Sequence, residues 1–71
     1  MDLRELFATN LRRLRHERGL SQDVVAYDAG MSRSYLAQLE TGRYYASLKI
    51  IGRLADVLGV DPVEFLKRQD R

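Results

Sequence analysis

The chain has no cysteine, which rules out a disulfide or a thiolate-bound metal. It has a single histidine, His16, on the charged side of an amphipathic stretch. No nucleophile, base or metal-ligand cluster accompanies it, so neither an enzyme nor a cofactor site is expected. Long apolar runs are missing as well. None reaches the ~20 residues that a membrane-spanning helix needs, and the first residues lack the basic-then-apolar layout of a secretory signal. The expected product is a soluble, cytoplasmic protein without repeats, linkers or low-complexity segments. A net charge of +2 is too small to identify a partner, and 45% apolar with 31% charged residues describes an ordinary globular chain. Its 71 residues are expected to make one domain, 1–71, so small that every helix must share one core.

What is present is organised around residues 20–42, LSQDVVAYDAGMSRSYLAQLETG. Ser21 can accept from the free amides two or three positions on. Val25, Ala26 and Ala29 then recur at helical spacing, and Gly30 supplies the left-handed residue that ends a helix. Ser32 caps a second helix at once, with Tyr35, Leu36 and Leu39 as its apolar stripe and Gly42 as its stop. So short a joint forces the helices to cross steeply, the geometry of a helix-turn-helix over about residues 21–41. The small inner residues allow close approach, and Val24 is surplus to that face.

Upstream, Leu3, Leu6, Phe7, Leu11 and Leu14 step by threes and fours, which predicts a helix over 3–17 ended by Gly19; Thr9 and Asn10 carry no signal. Downstream, Ser47 caps a helix with Leu48, Ile51, Leu54, Ala55 and Leu58 on its inner face and Gly59 at its end. Gly52 is a misfit there, at a cost of about 1 kcal/mol relative to alanine, which close packing would explain. Asp61-Pro62-Val63-Glu64 reads as a cap, an N1 proline and an N3 acid opening a last short helix through about residue 68. The expected fold is all-α, a compact bundle of five helices containing the helix-turn-helix. Val63 and Phe65 project in different directions, so only one of them can point squarely into the core.

The charges are segregated. Arg12, Arg13, Arg15 and Arg18 crowd the end of the first helix against Glu17 alone, while Arg33, Arg43, Lys49 and Arg53 oppose only Glu40. This suggests one basic face, although charge alone does not separate such a face from ordinary solvated helix surface. Arg15 lies on the edge of the first apolar stripe, where a partly desolvated guanidinium wants a carboxylate, and Glu40, on the core edge of the third helix, is its natural partner. Opposite Leu36 and Leu39, Arg33 stacks with Ala37 and Ser34 with Gln38, four residues apart, as an outward face.

At these residues the chain resembles the phage repressor and Cro family of helix-turn-helix DNA-binding proteins, over about residues 11–66. The resemblance is carried by Gly-Leu-Ser-Gln at 19–22, Ala-Gly at 29–30, the Ser-Arg-Ser-Tyr-Leu run from Ser32, and Leu-Glu-Thr-Gly at 39–42. Within the family, Arg-Ser-Tyr at 33–35 is most similar to the small controllers of restriction-modification operons. The resemblance implies a transcriptional regulator that binds double-stranded operator DNA with helix 32–41 in the major groove, and it implies the same Arg15–Glu40 pair. Arg33, which can donate two parallel hydrogen bonds to guanine, and Gln38, which can pair with adenine, are then the expected base readers, with Ser34 and Ala37 beside them. Phosphate contacts fall to Gln22 and Ser32 at helix N-termini, to Arg43 in the following loop, and to Tyr35, whose ring is equally suited to the core edge. Tyr44 and Tyr45 depart from the family, which commonly has a polar residue and proline there; phosphate, a dimer contact and simple cover all remain open for them.

One recognition helix reads too few base pairs to single out an operator, so a homodimer on an inverted repeat is expected. Its interface is assigned to apolar residues beyond the core requirement: Tyr45, Ile50, Val57, Val63 and Phe65. The rival reading is an antitoxin-type module that binds a toxin and autoregulates its operon; RNA polymerase is the other candidate protein partner.

Overall fold

The computed structural model describes residues 2–68. Four α-helices, α1 (Leu3–Glu17), α2 (Gln22–Ala29), α3 (Arg33–Glu40) and α4 (Leu48–Leu58), are followed by a 3-10 helix at Pro62–Leu66. Each element begins where a short polar side chain can satisfy an otherwise free amide. Asp2 accepts from the Arg4 amide at 2.9 Å, and the Ser21, Ser32 and Ser47 hydroxyls accept from the amide three residues on at 3.0–3.1 Å. Asp61 accepts from Val63 at 3.0 Å. Such a cap contributes about 1 kcal/mol. At the end of α2, Gly30 takes φ 73° and the Met31 amide donates back to the Ala26 carbonyl at 2.9 Å. That left-handed residue lets α3 begin almost immediately and sets the turn of the helix-turn-helix.

The core lies where α1 meets α3 and the 3-10 helix, and where α2 meets α3 and α4. Leu11, Val25, Leu36, Leu39, Leu54 and Phe65 are wholly buried there, and Ala26, Ala29 and Ala55 keep the helices close. The Phe7 and Phe65 rings sit 5.2 Å apart, tilted by 42°, an arrangement that adds to the roughly 1.5–3 kcal/mol from burying each side chain.

The chain end corrects the expected five-helix bundle to four α-helices and a single 3-10 segment, which stops at Leu66 and leaves Lys67 extended. Asn10 accounts for this path. Fully buried in α1, its Nδ2 donates to the carbonyls of both Phe65 and Lys67, each at 2.8 Å. Those acceptors are satisfied by a side chain rather than by a continuing helix. The same tight turn drives Phe65 inward, so Phe65 is removed from the expected dimer-interface residues, whereas Val63 stays 55% exposed. Two further expectations about α4 change. Leu48 is 86% exposed, because the first member of the stripe sits in the first helical turn, past the reach of the core. Gly52 has nothing within 4 Å of where a Cβ would stand, so close packing does not explain it.

Candidate nucleic-acid interface

Glu40, at the last turn of α3, is almost entirely buried and gathers donors from two other helices. Arg15 of α1 donates from Nε to Oε2 at 2.6 Å and from Nη2 to Oε1 at 2.9 Å, a fork that fits a carboxylate edge. Gln22, the first residue of α2, donates from Nε2 to Oε1 at 3.0 Å. Arg12 donates to the Glu40 backbone carbonyl, and Arg15 Nη1 donates to Leu20 O at 2.9 Å. The hydrogen bond to Glu40 raises the Arg15 pKa above its ordinary value against a smaller desolvation effect. One carboxylate therefore ties α1, α2 and α3 together and braces the two helix-turn-helix elements against each other.

On that frame the outward side of α3 carries Arg33 and Ser34, both exposed, with Ala37 and Gln38 half-buried behind them. Ser32 is exposed at the cap, its hydroxyl already engaged by the Tyr35 amide at 3.0 Å. One N–H of the Gln22 amide is taken by Glu40, which leaves the other for a second acceptor. The sequence did not indicate that Arg33 Nε would lie 3.4 Å from the Asp23 carboxylate in the first turn of α2. It also did not indicate that Tyr35, half-buried, would stack on Tyr44, with ring centroids 6.2 Å apart and planes 23° from parallel. Tyr45 turns the other way and lies under the Arg4 guanidinium, 4.9 Å from its ring centroid. The two loop tyrosines thus serve different neighbours.

Arg18, Arg43 and Lys49 are exposed and form no ion pair among the described residues. Arg53 does not extend the same basic surface in a simple way: it lines a shallow cleft with Asp28 and Asp56 beside Gly30, where acids meet its charge. Of the expected interface residues, Tyr45 and Val63 are exposed, while Ile50 and Val57 are partly buried against the core. Leu3 and Leu66, which were not among them, are exposed too. With Phe7, Tyr45, Ala46 and Ile51 they form an almost wholly apolar groove of about 130 Å³. Leu48 and Val63, exposed as well, stand one turn before Ile51 and Leu66 respectively.

A helix-turn-helix domain model matches residues 6–66. An uncharacterized HTH-type transcriptional regulator, y4dJ of Sinorhizobium fredii, is 41% identical over 70 residues, covering 99% of this chain and 91% of that protein. The immunity repressor protein of Bacillus phage phi105 is 42% identical over 50 residues, covering 70% of this chain and 35% of the repressor. Among solved structures, the restriction-modification controller protein C.AhdI from Aeromonas hydrophila superposes with a TM-score of 0.84 at 39% identity, covering 87% of this chain and 94% of that one.

Proposed function

The chain belongs to the helix-turn-helix domain family and is a transcriptional regulator of the repressor and controller type; from that premise we propose that it binds an inverted-repeat operator as a homodimer, with α3 of each copy in the major groove. The observation that carries this reading is the Glu40 cluster, which supports a rigid crossing of α2 and α3 and so a fixed presentation of the outward side of α3. On that side Arg33 meets guanine O6 and N7, Gln38 meets adenine, and Ala37 and Ser34 fill the space between them. Gln22, Ser32, Tyr35 and Arg43 engage the backbone, which sets register rather than sequence.

A second copy covers the apolar groove, burying Leu3, Tyr45, Val63 and Leu66 against their symmetry mates. The two recognition helices then address half-sites about one helical turn, ~34–36 Å, apart. The protein acts in the cytoplasm, where the operator is. Selection from a random duplex pool, followed by footprinting, tests the proposal. The expected result is a palindromic footprint whose log K falls linearly with log salt as counterions are released. Failure to enrich any sequence over competitor DNA at moderate salt overturns DNA recognition; a monomer in sedimentation, both at high concentration and on the selected operator, overturns the dimer.

A further inference from the structure

Arg33 has a partner that reading a base does not require. Its Nε lies 3.4 Å from Oδ1 of Asp23, and the pair joins the first turns of α2 and α3. Both side chains are about two-thirds or more exposed, at 66% and 74%, so the pair adds little to folding stability. Asp23 also sits beside Gln22, on the edge assigned to phosphate, where a carboxylate opposes the DNA polyanion whatever the sequence. A residue that stabilises little and repels the expected ligand calls for another use.

The geometry supplies one. A guanidinium donates along two edges, one containing Nε and one formed by the two Nη groups. Asp23 occupies the Nε side, which leaves Nη1 and Nη2 as the parallel donors that guanine O6 and N7 accept. We propose that Asp23 is a positioning residue for specificity: it aims Arg33 at guanine and penalises every duplex that offers Arg33 no guanine. Where guanine is present, both edges of Arg33 and the carboxylate are satisfied together. Where it is absent, the Nη donors lose their paired acceptors, and the charge of Asp23 opposes the phosphates with no base contact to offset it. The proposal rests on the DNA-binding reading above.

The test compares wild type, Asp23→Ala, Asp23→Asn, Arg33→Ala and the Asp23→Ala/Arg33→Ala double variant. Affinity is measured on the selected operator, on operators substituted at each base pair in turn, and on random duplex. Circular dichroism confirms that each protein is folded. Asp23→Ala is expected to tighten binding to random duplex and to lower the preference at the guanine pair on the order of 10-fold, the size of one good bidentate contact. Asp23→Asn keeps an oxygen beside Nε without the charge. It should match alanine on random duplex while retaining more of the guanine preference, and it is well suited to a first helical turn should the alanine variant unfold. In the Arg33→Ala background, removing Asp23 should leave the base-preference profile unchanged. Three outcomes overturn the proposal: a uniform gain on all sequences with discrimination intact, a uniform loss on all sequences, or a preference that disappears with Asp23 even when Arg33 is already absent. A wild-type protein that enriches no sequence refutes the DNA-binding reading instead, and this proposal falls with it.

Discussion

Replacing Arg15 with methionine removes two of the three side-chain donors to Glu40 and leaves its carboxylate, 3% exposed, with the Gln22 amide alone. Breaking a buried pair from one side costs about 3–5 kcal/mol, because the remaining charge has neither a partner nor water. A domain of 71 residues has about 4–11 kcal/mol in total at the usual per-residue stability, so Arg15→Met should bring the fold close to its limit. The reverse change, Glu40→Leu, should cost less. Arg15 keeps its bond to the Leu20 carbonyl, and its long side chain, already at the edge, can carry the guanidinium to water. The double variant leaves no stranded charge and should recover most of the loss. Urea denaturation of the four proteins reads this as a coupling energy, expected at about 2 kcal/mol or more. The Arg15 contribution should also persist into the alkaline range: the hydrogen bond to Glu40 raises its folded pKa, so the stabilisation from its charge is complete below the unfolded value and is lost only as pH rises through the folded one. Single effects that add to within about 0.5 kcal/mol would refute the argument and place both side chains effectively in solvent.

Three further outcomes follow from the same geometry. Arg33→Ala should lose about 1–3 kcal/mol on the best operator and relax one base pair, whereas Arg43→Ala should weaken all duplexes about equally and flatten the salt slope; competition binding at several salt concentrations distinguishes them. Phe65→Ala should destabilise the domain by about 3–5 kcal/mol in a thermal or urea melt, while Val63→Asp and Leu66→Asp should leave it folded but monomeric in sedimentation, and a dimer that persists in both would move the interface elsewhere. Hydrogen bonds from the Arg4 side chain and then its amide lower the Asp2 pKa from 3.8, so its charge stabilises above that value and the effect is lost as pH falls through the folded pKa. Asp2→Asn, which keeps the cap, should therefore differ slightly from wild type near neutral pH and converge with it in acid.

The helices and their joints were legible because their causes are local. Ser21, Ser32 and Ser47 each act on an amide three residues away, and Gly30 ends α2 through its own backbone angle. Arg15 and Glu40 were legible for a related reason: each stands on the edge of an apolar stripe, and two such edges of opposite charge must meet when the stripes pack. Asn10 carried a signal that spacing could have revealed, since it lies three residues after Phe7 and four before Leu14, on the buried side of α1. Its partners could not be read that way. The bonds that bend the C-terminus link Asn10 to carbonyls 55 and 57 residues on, and they decide that Phe65 enters the core while Val63 does not. The Arg33–Asp23 approach and the Tyr35–Tyr44 stack depend likewise on how neighbouring elements sit. The sequence by itself determined where helices start, stop and turn, because caps and left-handed residues act within one turn of chain; which of the exposed-looking side chains were buried, bridged or left as surface was decided only by packing, where distance in space replaces distance along the chain.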